Sequence, residues 1–392
     1  IIDAKKSLEK GELTSSLVKR LEVTDSKIDE MVNGIKDVIK LEDPVGRTLN
    51  AIELDSDLEL YQVATPIGLI GMVFESRPDV VPQIISLALK SGNCVLLKGG
   101  RESANTNRAI FEVLIDSIDD KVIPKDSFHL LEKREDVTEM LKLDKYIDLI
   151  IPRGSNEFVK FVQSNTKVPV LGHADGICHA YVDSYYDEKK ALDVCFDAKT
   201  QYPAVCNAIE TLLVHAKSAK EFLPKIGKMY KGANVEIRCC NQSFDILKEF
   251  GVNRASEGDW STEYNDMIIS IKVVNSIEEA VSHINKYGSH HTDVILTEDK
   301  KSADYFLNFV DSSSVMLNAS TRFADGFRYG KGAEIGISTG KIHARGPTGM
   351  EGMLIYKYIL VGNGQKVSDY VGKNAKAYTH KKIGKEFKDS LK

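Results

Sequence analysis

The stretch TPIGLIGMVFESRPDVVPQIISLALKSGNCVLLKG (65–99) decides the fold. It opens with an apolar run, PIGLIGMVF (66–74), passes through a helical pattern, PDVVPQIISLALKSG (78–92), and closes on a second apolar run, NCVLLKG (93–99). Two short apolar runs flanking one helix are the pattern of a βαβ unit. Its parallel strands are buried on both faces and so lack the polar alternation of a solvated strand. The rhythm continues with a helix expected near 103–117, a strand near 127–131, a helix near 135–143 and a strand, YIDLIIP, at 146–152. This predicts a parallel sheet covered by helices, which holds nucleotides in the loops at its carboxyl ends.

A second series of the same kind begins at CHAYVD (178–183) and runs through ETLLVH (210–215), MIISIKVV (267–274), HTDVILTED (291–299) and SSVMLNAS (313–320). Two α/β domains are therefore expected. Before them, residues 1 to about 46 carry helical spacing that ends at Asp43-Pro44, and LNAIELDSDLELYQVA (49–64) alternates apolar and acidic residues like a solvated strand pair. The Lys- and Asp-rich end, 381–392, reads as a solvated helix or a frayed tail. Because the chain begins on isoleucine inside a helical pattern, it reads as a segment cut from something longer.

With 392 residues, 42% of them hydrophobic and 28% charged, the chain can bury a large core. A net charge of −5 supplies no basic field to hold nucleic acid or an anionic membrane, and no apolar stretch approaches the length of a membrane span. The six cysteines, at 94, 178, 195, 206, 239 and 240, match neither a zinc pattern nor a disulfide framework. Free thiols in a reducing compartment, the cytoplasm by default, fit best. His290-His291 and His343 lack helical spacing and convergent acidic partners, so no metal is expected. His173 stays open between a core position and the site.

The chemistry is written in QYPAVCNAIETLLVH (201–215), which sets Cys206 in a short turn between a helical pattern and an apolar strand. A nucleophile belongs on such a loop. Cys94, Cys178 and Cys195 read instead as buried packing residues.

This segment resembles the catalytic region of the aldehyde dehydrogenase superfamily, and within it the γ-glutamyl phosphate reductases, or glutamate-5-semialdehyde dehydrogenases. The likeness extends through TPIGLIGMVFESRPDV (65–80), LLKGGRES (96–103), IPRGSNEFV (151–159), VPVLGHADGICHAYVD (168–183), NASTRFADGFRYGKGAEIGIST (318–339) and HARGPTGMEG (343–352), in family order. It also reaches the reductase half of the bifunctional δ-1-pyrroline-5-carboxylate synthases, with a leaning towards the eukaryotic members of both groups. The resemblance implies an aldehyde dehydrogenase-like α/β fold: a cofactor-binding domain (1–48 and 65–176), a catalytic domain (177–352), a β-ribbon oligomerisation flap (49–64 and 353–365) and a C-terminal segment (366–392).

It further implies NADPH-dependent reduction of L-glutamyl 5-phosphate to L-glutamate 5-semialdehyde in proline biosynthesis, with phosphate released and Cys206 carrying a thioester. The Cys206 N–H and the Asn207 amide are the oxyanion donors expected, with Ser76 standing where the wider family places another. Lys98, Arg101, Arg153, Gly154, Ser155 and Glu263 are assigned to the cofactor, the N–H groups at Ser155 and Asn156 facing an anion. Arg101 selects NADPH, because a guanidinium suits a 2′-phosphate where a carboxylate would repel it. Asn318, Ser320, Thr321, Arg322 and Arg328 are assigned to the substrate, with Arg345 a further candidate. The stretch PVLGHADG offers Gly172, His173 and Asp175 where aldehyde-oxidising relatives carry a glutamate base. A homodimer is expected, as is functional coupling to glutamate 5-kinase. Two other readings remain open here: a thiol enzyme that oxidises aldehydes or acylates coenzyme A, and a silent scaffold for a glutamate kinase.

Overall fold

The computed structural model describes residues 21–75, 77–133 and 135–390, which form two compact units. One unit runs to Leu171 and adds Lys331–Gly336 and the residues from Thr348 onward; the other holds Gly172–Gly330 and Ile337–Pro347.

In the first unit α1 (Asp25–Lys40) is followed by an antiparallel pair, β1 (Thr48–Asp55) and β2 (Leu58–Pro66). Then come β3 (Leu69–Phe74), α2 (Val80–Ser91), β4 (Cys94–Gly99), α3 (Ala104–Asp116), β5 (Phe128–Leu131), α4 (Glu135–Met140), β6 (Leu149–Arg153) and α5 (Asn156–Ser164). The strands β3 to β6 form one parallel sheet in the order β5-β4-β3-β6. α2 buries Val81, Ile84, Ile85 and Ala88 along one stripe, and each Val or Ile side chain so buried contributes about 1.5–3 kcal/mol. The helix ends because Gly92, at φ +71°, turns left-handed and its N–H reaches back to the carbonyls of Ala88 and Leu89. Any side chain there would be strained, and its Cβ would press on the Pro66 ring at 3.0 Å.

Register brings the carboxyl ends of β3, β4 and β6 together: Phe74 pairs with Gly99 on one side and Arg153 on the other. The loops after these strands share one edge. At the opposite edge Cys94, expected in the core, is exposed, because it is the first residue of β4 and its strand sinks into the sheet only from Val95 on.

The second unit carries β7 (Cys178–Val182), α6 (Glu188–Thr200), β8 (Ile209–His215), α7 (Ala216–Gly232), β9 (Glu236–Cys239), α8 (Asn241–Leu247), β10 (Asn253–Arg254), β11 (Ile268–Val274), α9 (Ile277–Tyr287), β12 (Thr292–Leu296), α10 (Lys300–Phe309) and β13 (Ser314–Leu317). Its seven strands are parallel, in the order β10-β9-β11-β8-β7-β12-β13. Central β8 is buried at every residue, which is why ETLLVH shows no polar alternation apart from Glu210 and Thr211. Cys178 and Cys195 are packing residues here, as expected, and burial pushes both thiols far up, while that of Cys239 is pushed up to about 11.

Two short strands, β14 (Gly336–Ser338) and β15 (Gly346–Thr348), pair with each other, and β16 (Leu354–Val361) and β17 (Lys381–Lys382) join the ribbon. The resulting antiparallel sheet has the order β16-β2-β1-β17. The ribbon is therefore less solvated than its alternation suggests: Ala51, Tyr61 and Val63 line one face, with Ile383 and Phe387 packed on them. For the same reason residues 381–390 are neither a long helix nor a frayed end. Lys381 and Lys382 pair with β1, and Phe387 packs edge-on to Tyr61. Among the described residues no helix is long and apolar enough to cross a membrane.

Candidate active site

Cys206 lies in the turn between α6 and β8, closed by the Ala208 N–H donating to the Val205 carbonyl at 3.0 Å. Its carbonyl accepts from the buried Cys178 thiol at 3.1 Å, and its own thiol is partly exposed. The turn rests on Gly176, where a Cβ would lie 2.4 Å from the Cys206 Cα. Nothing in the sequence signals that closeness. Gly176 precedes β7, Cys206 precedes β8 and His291 precedes β12, so the thiol sits at the amino edge of its parallel sheet. Nucleotide sites of open α/β sheets favour the opposite edge.

Two imidazoles converge on the thiol. One donor atom each from His173, Cys206 and His291 lies within 4.8 Å of the others, and the two rings meet edge-on with centroids 4.9 Å apart. The Ile337 carbonyl accepts from His173 Nδ1 at 2.8 Å, which fixes the proton on Nδ1 and leaves Nε2 basic. His291 is fully buried; its Nδ1 bonds Thr292 Oγ1 at 2.8 Å, while its Nε2 is buried without a partner. The question left open for His173 is thus answered by position: it lines the site. The histidines looked unsuited to convergence because sequence spacing reports only neighbours on one element, and these three residues come from three different loops.

Several residues expected to face ligands are turned inward. Asn207 donates its amide to the Ala324 carbonyl at 2.9 Å and is 5% exposed, so that amide braces the loop beyond it. Thr321, fully buried, donates to the Asn207 carbonyl at 2.6 Å, and Ser320 Oγ accepts from the Arg322 N–H. Asn318 stands at φ +53°, a left-handed conformation that asparagine tolerates, and its amide clamps the Thr297 backbone at 3.0 and 2.9 Å. These three shape the loop rather than present it to a ligand. Two guanidinium groups remain: Arg322, whose Nε donates to Gln201 at 2.9 Å, and exposed Arg328, which donates to the Arg322 carbonyl at 2.5 Å. Burial and the Arg328 charge pull the Arg322 guanidinium down, and Cys206 acts on it in the opposite sense, which puts an anion-hungry pair near the thiol. Arg345 is committed to Asp311 at 3.0 Å.

Beneath the turn, Lys199 and Glu210 form a fully buried ion pair at 2.6 Å. Burial pushes the Glu210 carboxyl up and the Lys199 ammonium down, each partner resisting the other's shift. Glu263, half-buried, lies close enough for its charge to raise Glu210 further.

In the first unit the expected cofactor residues share the carboxyl edge of the four-stranded sheet. Lys98 is 6% exposed and donates to its neighbour Gly99 at 2.7 Å, with its ammonium pulled down by burial. Arg101 begins the following turn and is exposed. Arg153 lies 3.9 Å from Glu334. The anion position before α5 is already filled: Glu75 accepts from the Ser155 N–H at 2.8 Å and hydroxyl at 3.1 Å, which corrects the expectation that this N–H faces a ligand. Gly154 admits that carboxylate, since a Cβ there would meet it at 2.5 Å. Ser76 falls outside the described residues.

The Aldehyde dehydrogenase family model matches residues 10–239. The γ-glutamyl phosphate reductase of Methanococcoides burtonii is 61% identical over 393 residues, covering 99% of this chain and 88% of the relative. That of Methanosarcina acetivorans is 62% identical over 383 residues, covering 97% and 86%. The crystal structure of γ-glutamyl phosphate reductase from Thermotoga maritima superposes with a TM-score of 0.90 at 44% identity, covering 93% of this chain and 88% of that one. The chain belongs to the aldehyde dehydrogenase family. Within it, its place is among the γ-glutamyl phosphate reductases, oxidoreductases of proline biosynthesis that turn an acyl phosphate into an aldehyde. Such a reduction needs a hydride donor, which in this family is a nicotinamide dinucleotide.

Proposed function

We propose that this chain reduces L-glutamyl 5-phosphate with NADPH through a thioester on Cys206. The supporting observation is the partly exposed Cys206 thiol set beside two imidazoles, near the Arg322–Arg328 pair. The thiolate attacks the acyl carbon, the carbon–oxygen bond to phosphate breaks, and inorganic phosphate leaves. NADPH, when bound, supplies the hydride that reduces the thioester carbonyl. The carbon–sulfur bond then breaks, releasing the aldehyde and regenerating the thiolate. His173, basic at Nε2, takes the thiol proton; the Cys206 N–H steadies the oxyanion; Arg322 and Arg328 hold the anionic ends of the substrate.

Aldehyde-oxidising enzymes hydrolyse their thioester and need a carboxylate to activate water. Among the described residues the cluster around Cys206 contains imidazoles and no carboxylate. With NADP⁺ and glutamate semialdehyde, turnover is therefore expected to require phosphate and to yield acyl phosphate, with little glutamate formed directly and negligible cleavage of p-nitrophenyl acetate. Rapid, phosphate-independent glutamate release would assign His173 or Asp175 to water activation and overturn the reading. No turnover at all would favour a scaffold.

Lys98, Arg101, Arg153 and Gly154, on the carboxyl edge of the first unit's sheet, form the cofactor side in this reading, with Arg101 reading the 2′-phosphate. Arg101→Glu is expected to raise the KM for NADPH at least about tenfold and leave that for NADH nearly unchanged. Equal losses for both would show that Arg101 only shapes its loop.

Edge strand β16 exposes Tyr356, Tyr358 and Leu360, so a homodimer formed through this sheet is the expected assembly, in the cytoplasm. Light scattering at micromolar concentration checks it: a monodisperse monomer would contradict it. Acyl phosphates hydrolyse readily in water, so glutamate 5-kinase is the partner whose product this site would take directly.

A further inference from the structure

We infer that His173, Cys206 and His291 form a binding site for a borderline-soft divalent cation such as Zn²⁺, which caps the thiol and switches the site off. The donor set is two imidazoles and one thiol, the ligand types that zinc selects, with a fourth tetrahedral position left for water or a substrate oxygen. Three features mark a built site rather than a chance cluster. The Nδ1 of His173 is held by the Ile337 carbonyl, and the Nδ1 of His291 by Thr292 Oγ1, the outer contacts that orient ligand imidazoles towards a metal through Nε2. The Nε2 of His291 is buried without a partner, and an uncompensated buried imidazole nitrogen costs free energy that coordination would recover. Cys206 and His173 are each partly exposed, so a cation has a route in.

The donor atoms lie within 4.8 Å of one another, whereas a tetrahedral zinc site spaces them about 3.5 Å apart. Closing that gap asks for a shift of roughly 1 Å, which the Cys206 side chain and the loop at His173 supply more readily than buried His291. On binding, the Cys206 thiol gives its proton to solvent and the sulfur donates a lone pair to the metal. Nothing is oxidised or reduced. Cys178, also beside His291, takes no part, because its thiol is fully buried and already donates to the Cys206 carbonyl. Metal binding depends only on this geometry, whereas inhibition rests on the proposed role of Cys206, so the two are read separately.

The test uses the full chain stripped of metal by a chelator and titrated with Co²⁺, whose spectrum reports thiolate coordination. The expected result is one equivalent bound, with a thiolate-to-metal charge-transfer band and the intense visible bands of four-coordinate cobalt. Cys206→Ser should abolish the charge-transfer band, which excludes the Cys239–Cys240 thiols as its source. His173→Gln and His291→Gln should each weaken binding at least about tenfold. His173 is partly exposed, so its variant decides if the His291 variant does not fold. Zn²⁺ should displace Co²⁺ and block reduction until chelator is added. Absence of the band, its survival in Cys206→Ser, or unchanged affinity in His173→Gln would overturn the inference.

Discussion

Cys206→Ala is expected to fold as the parent does and to lose reduction of glutamyl phosphate by roughly a thousandfold or more. The thiol is partly exposed on a turn, and the turn is held by backbone contacts, the Cys178 thiol to the Cys206 carbonyl and the Ala208 N–H to Val205, none of which uses the Cys206 side chain. Removing the sulfur therefore leaves the scaffold and takes away the atom that forms and breaks the acyl bond. No neighbour replaces it: the imidazoles accept protons but make a poorer acyl carrier here, and Cys178 is buried with its thiol pushed up. Circular dichroism and cofactor binding should match the parent, and the steady-state rate should not. Retention of more than a few per cent of the rate would remove Cys206 from the chemistry.

Gly176→Ala should be nearly as damaging for a different reason. Its new methyl would lie 2.4 Å from the Cys206 Cα and 2.5 Å from its Cβ and carbonyl oxygen, contacts that no rotamer relieves, because the opposing atoms are mostly backbone. Either the turn shifts by about an ångström or more, or the strain is kept; overpacking of this kind costs roughly 1–3 kcal/mol. Displacement on that scale costs about a hundredfold in rate when reacting groups must meet in line. The expected outcome is a cooperative fold of lower stability, a kcat reduced about a hundredfold and a KM for NADPH close to the parent's, since the cofactor residues of the first unit are untouched. A variant of full activity would mean that the turn is softer than its packing indicates.

The βαβ rhythm of 65–99 was legible because two apolar runs and one amphipathic stripe have different periods, and β8 because a strand buried on both faces has no polar alternation. Cys206 stood out because a thiol in a turn before such a strand has few packing roles. What the sequence hid is tertiary. Gly176 looks like any loop glycine until Cys206 is set against it. Asn318 and Thr321 read as ligand groups because polar loop residues often are, yet here the loop itself needs them to satisfy its backbone at Thr297 and Asn207. The N–H before α5 reads as an anion site from local pattern alone, and the anion proved to be Glu75, distant in sequence.

The buried pair of Lys199 and Glu210 bears on how the chain finds its native pairing rather than on how firmly it keeps it. A fully buried ion pair is weak as a stabiliser, since desolvation offsets most of the attraction. Misalignment is another matter: slide α6 one residue along β8 and an uncompensated charge is left inside the second unit, at a cost of several kcal/mol. Alternatives that differ by a single step along the strand are thereby excluded while the sheet assembles. Residues 201–208 join the two partners, so a pair held in register also holds the turn that carries Cys206.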